Sequence, residues 1–223
     1  MLEKALVNTY PAWSRGEVLP YVPRDARRIL DVGCGAGGFG AHLTARDVFG
    51  VEPNATAADL AAAHYQVVYR GVFPEAVPRG ATFDCIVFND VLEHLVDPWS
   101  AVRASIAMLT DRGTVIASIP NMRYMRVLRR LLFNADWTYQ SYGVLDRTHL
   151  RWFTYKTMRK LFEDNGFVVD RLVPINVENG WKARLIRLVP YISDLAALQF
   201  VVVARPITHT FLGAPQVDCD PAA

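Results

Sequence analysis

The chain contains 223 residues, of which 52% are hydrophobic and 21% are charged, and its formal net charge is +2. This length can bury one sizeable core, and the apolar content excludes a largely disordered chain. The nearly balanced charge excludes a protein that coats a polyanion with its whole surface, so no nucleic-acid partner is expected. The cysteines show no CxxC spacing, which suits a reducing compartment and argues against a zinc knuckle: Cys34, Cys85 and Cys219.

The opening segment lacks the continuous apolar stretch of a signal peptide, and the longest late apolar run, LAALQFVVVA, is too short to span a bilayer. A cytoplasmic protein is therefore expected. Residues 1–25 have a helical composition interrupted by prolines, which predicts a capping segment rather than one long helix.

From Arg28 onward, short apolar runs alternate with helix-like stretches. Strands that alternate with helices predict a doubly wound α/β fold, with a mainly parallel seven-stranded sheet and helices on both faces. The connection between the last two runs favours an antiparallel last strand. The runs are RILDVG, DVFGVEP, YQVVYRG, FDCIVFND, GTVIASIP, GFVVDRLVPI and LQFVVVARP.

One Rossmann-like domain is predicted over residues 1–206, with residues 207–223 as a loose tail that shows no periodicity. Residues 121–150, between the fifth strand and the next helix, form an insert longer than an ordinary connection. Loops after the carboxyl ends of strands usually build the substrate site in such folds. The insert is therefore predicted to act as a lid over the substrate.

A glycine-rich segment, ILDVGCGAGGFG, contains the end of the first predicted strand and precedes a predicted helix at about GFGAHLTA. Glycines let the backbone turn tightly beside a ligand, and a helix start offers unpaired N–H groups. Glu52 ends the second predicted strand, where a carboxylate can accept both hydroxyls of a ribose. A nucleotide-like ligand is therefore expected at this loop.

The same loop satisfies the G-x-G-x-x-G pattern of dinucleotide-binding proteins through Gly33, Gly35 and Gly38, so a nicotinamide-dependent oxidoreductase stays open. Short-chain enzymes of that kind need Tyr-x-x-x-Lys, and none of the nine tyrosines has a lysine four positions on. Asp31 before the glycines and the segment after the fourth strand favour a different family.

The chain resembles the Rossmann-like S-adenosylmethionine-dependent methyltransferases, particularly the branch with ubiquinone-biosynthesis and sugar or polysaccharide O-methyltransferases. The resemblance covers about residues 10 to 205 and implies a methyltransferase that uses S-adenosylmethionine and releases S-adenosylhomocysteine. The segments that carry it, in the family's order, are LDVGCGAGGFG, GVEPN, FDCIVFNDVLEHLVDPWSAV, RGTVIASIPN and HLRWFTYKTMRKLFEDNGF.

This resemblance implies which residues bind the cofactor. Asn89 and Asp90, at the end of the fourth strand, are implied to lie beside it. Many relatives contact the adenine amino group through an aspartate that is missing from YRGVFPEA, which leaves backbone groups or stacking on Phe73. The residues implied at the methionyl part and the ribose are Asp31, Gly33, Cys34, Gly35, Gly37 and Glu52.

The segment NDVLEHLVDP would align four titratable side chains on one face of an unbroken helix, as in a metal site: Asp90, Glu93, His94 and Asp97. Pro98 disfavours helical geometry at Asp97, which is instead predicted to cap the next helix with Pro98 at its first position. The segment is therefore interpreted as a wall of the cofactor pocket, and no metal is expected.

Two histidines are candidates for a catalytic base. Methyl transfer to an alcohol is helped by a general base, for which histidine is the commonest choice. His149 in DRTHLRWFT, at the exit of the insert, is the first candidate and His94 is the second. An alternative role for His149 is to brace the helix after Thr154, its predicted N-cap.

Two basic amphipathic segments are predicted, NMRYMRVLRRLLFNADWTYQSYG in the insert and WKARLIRLVP after the sixth strand. They suit either a solvent-facing lid or a peripheral membrane contact that holds a phosphate-bearing or lipid-linked acceptor. The leading function is O-methylation of a saccharide, glycan or lipid-linked hydroxyl. The alternatives are methylation of a quinone or other small molecule, the oxidoreductase, and a non-catalytic cofactor-binding module; the oligomeric state is left open.

Overall fold

Seven strands form one sheet: β1 Arg28–Val32, β2 Asp47–Glu52, β3 Val67–Arg70, β4 Phe83–Asn89, β5 Leu109–Pro120, β6 Phe167–Val177 and β7 Ala197–Pro206. The computed structural model describes residues 14–190 and 192–207, so most of the predicted tail and the first half of the predicted cap lie outside the described residues. The strand order is β3-β2-β1-β4-β5-β7-β6. Neighbouring strands are parallel except that β7 runs antiparallel to β5 and β6, so the predicted fold class is confirmed.

The described residues contain these α-helices: α1 Ala55–Ala61, α2 Pro98–Ile106, α3 Met125–Asn134, α4 Tyr155–Glu163 and α5 Trp181–Leu188. Asp97 caps α2 by accepting the Ser100 N–H at 3.0 Å, and Thr154 caps α4 in a reciprocal capping box with Thr157. Both predicted caps are confirmed. Each of these helices is too short to carry the chain across a bilayer.

Apolar clusters bury both faces of the sheet. Successive residues of β1 point to opposite faces, so Leu30 joins one cluster and Ile29 the other, and both are fully buried. Helices α2 and α4 cover the first face, and α1 together with irregular segments covers the second. The irregular segments contribute Val18, Val22, Phe39 and Leu43. The described part of the N-terminal segment, which includes a 3₁₀ helix at Leu19–Tyr21, packs against this second face of the sheet.

The helix predicted after the glycine loop is wrong. The chain forms only a 3₁₀ turn at Gly40–His42 before β2 begins. Glycine lowers helix stability by about 1 kcal/mol per residue, and three glycines lie between residues 37 and 40. Gly40 also packs so tightly that an added β-carbon would lie 2.4 Å from the ring of Tyr65. Low local helix propensity and a close contact with a distant residue therefore both act against the predicted helix.

The unbroken helix that would align residues 90–97 on one face does not form, as Pro98 predicted. The segment contains only a 3₁₀ helix at Leu92–His94, in which Leu92 and Glu93 are buried, whereas Val96 is 73% exposed. Asp90 has a positive φ of 53°, and this left-handed conformation prevents an α-helix from starting directly after β4. The titratable residues of this segment therefore point in different directions.

We expect Tyr65→Phe to lower the free energy of unfolding by about 1 to 3 kcal/mol. The Tyr65 hydroxyl donates to Asp31 Oδ2 at 2.6 Å and accepts the Gly40 N–H at 3.0 Å, so phenylalanine would leave both buried groups without a partner. Urea unfolding would measure the change, with Tyr69→Phe as the control because no hydrogen bond from the Tyr69 hydroxyl occurs among the described residues. A Tyr65→Phe protein as stable as wild type would contradict this role.

Candidate active site

The ends of β1, β2 and β4 bring the predicted cofactor-binding residues together. Asp31 lies near the end of β1, Glu52 ends β2 and Asn89 ends β4. The strand order reverses between β1 and β4, and ligands of open α/β sheets bind at such a switch point, outside the carboxyl ends of the strands. The candidate site therefore lies at this edge of the sheet.

The glycine loop is held in shape by its own backbone. Gly33, Gly35 and Gly37 have φ values of 69°, 53° and 91°, which residues with a β-carbon rarely adopt. The N–H groups of Gly33 and Cys34 donate to the Val51 carbonyl at 2.8 and 3.1 Å. A β-carbon at Gly33 would lie 2.6 Å from Val91, so this glycine is required by packing as well as by φ.

The side chain of Cys34 is buried against β2. Its Sγ lies against Gly50 of β2, where an added β-carbon would approach the sulfur to 2.6 Å. Burial raises the pKa of the Cys34 thiol, and the charges of Asp31 and Glu52 raise it further, so the thiol stays protonated. Any contribution of Cys34 to ligand binding would come from its backbone.

Glu52 joins the loop to the second strand. Its side chain is 4% exposed, and its two oxygens accept the N–H groups of Gly35 and Asn54, each at 2.9 Å. A carboxylate has about four acceptor sites, so two backbone donors leave capacity for further hydrogen bonds. The predicted contact with ribose hydroxyls is thus compatible with this geometry.

Unpaired polar atoms lie beside the loop. By strict hydrogen-bond geometry, Asp31 Oδ1 and both polar atoms of the Asn89 amide are buried without a partner among the described residues, although the Asn89 amide lies close enough to Asp31 to lower the pKa of that carboxyl. Burial raises the pKa of Asp31 to about 7; the Tyr65 hydrogen bond opposes this, and the charge of Glu52 adds to it. An unpaired buried polar group costs about 1 to 3 kcal/mol, and such groups are rare in folded proteins. These atoms therefore mark a place where a polar ligand would fit.

Asp90 is bound by protein groups. Its carboxylate pairs with Arg15 at 2.5 Å and accepts hydrogen bonds from Ser118 Oγ and Gln199 Nε2, both at 2.9 Å. Arg15 is buried in the N-terminal segment, so this network ties that segment, β5 and β7 to the end of β4. The contact between Asp90 and a cofactor stays a prediction.

Phe73, one of the two options for adenine recognition, lies in the core. Its ring is 8% exposed and meets Phe88 edge to face, with the ring centroids 5.4 Å apart. Stacking on adenine would need an accessible ring face. Of the two expectations, the structure therefore favours backbone groups.

The two candidate bases lie side by side. The ring centroids of His94 and His149 are 4.7 Å apart. The Nδ1 atom of His94 lies 3.2 Å from the Thr148 carbonyl oxygen, and that of His149 lies 3.1 Å from the Val144 carbonyl oxygen. A carbonyl only accepts, so in the neutral rings the proton sits on Nδ1 and each Nε2 has a free lone pair. Burial lowers the pKa of His149, and the neighbouring His94 lowers it further, which keeps His149 neutral near pH 7.

Glu93 completes this cluster, and the sequence patterns did not predict its burial. It is 1% exposed, and its Oε1 lies 4.0 Å from His149 Nε2. Burial raises the pKa of Glu93 well above its ordinary value, and the charge of Asp90 raises it further. The Glu93 carbonyl accepts the N–H groups of Leu150 and Arg151, which holds His149 next to the 3₁₀ helix.

Glu93, His94 and His149 could also hold a metal ion, because their ligand atoms lie within 4.8 Å of one another. Metal-binding histidines commonly have the other ring nitrogen hydrogen-bonded to a carbonyl, as both histidines do here. The expectation of no metal stays a prediction. The structure identifies which described residues would bind one.

The strand order, the antiparallel β7 and the glycine loop followed by an acidic residue on β2 define a Rossmann-like S-adenosylmethionine-dependent methyltransferase. The model of a family described as a methyltransferase domain matches residues 13–172. The chain therefore belongs to this methyltransferase domain family, and the family predicted from the sequence is confirmed.

Similar proteins agree with this assignment. A ubiquinone biosynthesis O-methyltransferase from Methylocella silvestris is 30% identical over 193 residues, which cover 75% of this chain and 72% of that protein. Another from Alkalilimnicola ehrlichii is 35% identical over 109 residues, but this match spans only 43% of that protein. A solved methyltransferase from Thermotoga maritima, described as a possible histamine N-methyltransferase, is 17% identical with a TM-score of 0.63, covers 88% of this chain and 89% of its own, and shows the fold alone.

We expect Glu93→Gln to make stability less dependent on pH. The folded protein keeps a proton on Glu93 that the unfolded chain releases above its ordinary pKa of 4.5. The resulting stability is full below that value and is lost as the pH rises through the raised pKa of the folded state. Urea unfolding between about pH 5 and pH 8 should show wild type losing stability relative to Glu93→Gln.

Glu75→Gln is the matched control, because Glu75 is exposed on the connection between β3 and β4. Its unfolding free energy should follow the pH dependence of wild type. If Glu93→Gln also followed wild type, a buried and protonated Glu93 would be ruled out.

Proposed function

We propose that this methyltransferase binds S-adenosylmethionine in the crevice at the ends of β1, β2 and β4 and methylates a hydroxyl oxygen of an acceptor beside His149. The observation that carries the proposal is the set of unpaired buried polar atoms on Asp31 and Asn89 next to the glycine loop. When bound, the cofactor supplies an electrophilic sulfonium methyl group.

The residues at the strand ends fit a ligand of this kind. The Asp31 carboxylate would accept hydrogen bonds from the ammonium group of the methionyl part, which a buried anion favours strongly. The spare acceptor sites of Glu52 would bind the ribose hydroxyls, and the amide of Asn89 would bind a further polar group. Gly33, Gly35 and Gly37 keep side chains out of the path of the ligand.

His149 is proposed to accept the proton of the acceptor hydroxyl. Its Nε2 has the free lone pair, its burial keeps the ring neutral, and its Nδ1 contact with Val144 fixes the ring orientation. His94 has the same arrangement at Thr148 and is the second candidate. The burial of this cluster supports the exclusion of water, because His149 and Glu93 are only 7% and 1% exposed.

Two classes of acceptor are proposed. A saccharide, glycan or lipid-linked hydroxyl is supported by the basic insert, because arginines suit acceptors that carry phosphate. A phenolic hydroxyl of a quinone-like molecule is supported by the relatives, whose names describe ubiquinone biosynthesis O-methyltransferases. Transfer of a labelled methyl group into fractionated cell extract would distinguish them, since the label would appear either in the glycan fraction or among small phenolic lipids.

We expect Glu52→Ala to weaken S-adenosylmethionine binding by about 1 to 3 kcal/mol, or roughly five- to 150-fold in Kd. Removal of the carboxylate deletes the acceptors for the ribose and also the partner of the Gly35 N–H. Glu52→Gln keeps one carbonyl oxygen for Gly35, so it should retain the loop and still bind more weakly. Isothermal titration with S-adenosylmethionine and S-adenosylhomocysteine measures both variants, with Glu75→Gln as the control.

The two outcomes that oppose this role are distinct. Unchanged affinity in Glu52→Ala would exclude the ribose contact. Absence of heat with either compound in the wild-type protein would exclude the cofactor site as a whole.

We expect His149→Gln to lower kcat by about 10²- to 10⁴-fold without changing the affinity for S-adenosylmethionine. Glutamine fills a similar volume but cannot accept the proton, and His94→Gln should have the smaller effect. Labelled methyl transfer into the extract measures activity, and titration measures cofactor binding. Loss of wild-type activity with a chelator and its recovery with Mg²⁺ or Zn²⁺ would contradict the base role and favour a metal at Glu93, His94 and His149.

A further inference from the structure

Helices α3 and α5 follow β5 and β6, and side-chain contacts join the residues around their starts. The Tyr124 hydroxyl, just before α3, donates to the carboxylate of Glu178, just before α5. Arg126 in the first turn of α3 pairs with the same carboxylate at 2.6 Å. Arg123 pairs at 3.1 Å with Asp194 in the 3₁₀ helix that follows α5. These contacts fix the starts of the two helices next to each other.

Both helices leave apolar side chains uncovered. A surface helix normally buries its apolar stripe against the core, but Val127 is the buried residue of α3 and Ala183 that of α5. The exposed fractions of the large apolar side chains are 73% for Leu132, 82% for Phe133, 55% for Leu185 and 77% for Leu188. We call the exposed faces of α3 and α5 the helix-pair surface.

The helix-pair surface also concentrates positive charge. Residues 125–136 and 178–189 contain six basic and two acidic residues, so they contribute +4 to a chain whose net charge is +2, and the rest is net negative. The two acidic residues, Asp136 and Glu178, are paired with Arg130 and Arg126. Three exposed arginines therefore remain without an ion pair to any described residue: Arg129, Arg184 and Arg187.

We propose that the helix-pair surface docks onto a bilayer of anionic phospholipids. Arginines that alternate with exposed leucine and phenylalanine are typical of helices that lie in the plane of a membrane interface. The phosphate groups would pair with the guanidinium groups while Leu132, Phe133, Leu185 and Leu188 enter the acyl boundary. Anionic lipid satisfies both features of the surface.

Charge complementarity argues against the other occupants. Two copies meeting through this surface would bring two strongly positive patches together, which like-charge repulsion disfavours. A polyanion without an apolar phase would pair with the arginines but leave the leucines and Phe133 in water. The bilayer is the one surface that offers dense negative charge above an apolar layer.

The docked orientation would turn the candidate active site toward the lipid. Helix α3 follows the carboxyl end of β5, which is parallel to β1 and β4, so it lies at the same edge of the sheet as Asp31 and Asn89. An acceptor embedded in the bilayer would meet the protein on this side. Vesicle binding itself requires no methyl donor, so it can fail or succeed independently of the proposed methyl transfer.

Co-sedimentation with vesicles tests the proposal. The full chain is expected to bind vesicles of phosphatidylglycerol and phosphatidylcholine at low salt at least about tenfold more strongly than vesicles of phosphatidylcholine alone. Arg129→Gln/Arg184→Gln/Arg187→Gln should lower that partition by about tenfold or more, because each arginine near the surface adds to the attraction. Leu132→Ser/Phe133→Ser should lower binding to the same vesicles and leave its salt dependence in place.

Leu60→Ser/Arg112→Gln is the matched control. Leu60 is an exposed apolar residue on α1, which packs against β2 and β3 on the side of the sheet away from β6 and β7. Arg112 is exposed near the amino end of β5. This variant should bind vesicles like wild type. Urea unfolding and titration with S-adenosylmethionine would verify that all variants remain folded.

Three outcomes would overturn the proposal. The first is equal binding to both kinds of vesicle, and the second is wild-type binding by the triple-arginine variant. The third is a wild-type dimer that Leu132→Ser/Phe133→Ser converts to monomer without any change in vesicle binding, which would assign the surface to a second copy of the chain.

Discussion

The backbone bend after β1 is the constraint on which the rest of the site depends. Its positive-φ glycines reverse the chain within a few residues, and its N–H groups bind the Val51 carbonyl and the Glu52 carboxylate of the neighbouring strand. The bend is thereby held in place by the protein's own hydrogen bonds, so binding does not have to order it. It also keeps Asp31 out of water, where a carboxylate interacts strongly with a cationic partner.

Local patterns predicted the fold well where local physics determines it. The seven strands follow from apolar runs of the right length, and the starts of α2 and α4 follow from Asp97 and Thr154, whose side chains bind backbone groups only three residues away. The absence of a helix after the glycine loop was not predicted, although its glycines lower helix propensity. Gly40 lies against Tyr65, which is distant in sequence, and that contact decides the conformation of the segment.

The candidate site shows the same difference between features set by local sequence and features set by distant contacts. Glu52 was predicted from its place at the end of a strand, and Asp31 and Asn89 were implied by the family resemblance. The three lie near one another because parallel strands end at one edge of the sheet. The cluster of Glu93, His94 and His149 could be recognised only in part. Its histidines were candidates from the sequence, but their approach depends on the Glu93 carbonyl binding Leu150 and Arg151, a contact between distant segments that no spacing reveals. The same contact covers Glu93, whose burial the residue spacing of this segment does not reveal.

At the carboxyl edge of the sheet, negative and positive side chains occupy separate regions. The acidic side chains Asp31 and Glu52 lie in the interior, whereas helices α3 and α5 carry the basic excess. A negative interior favours a cationic methyl donor over the uncharged thioether that remains after transfer, which would help exchange of product for fresh donor. The positive charge of α3 and α5 lies outside this interior, so an anionic group bound there would not compete with the donor. The carboxyl edge of the sheet therefore carries two regions of opposite charge.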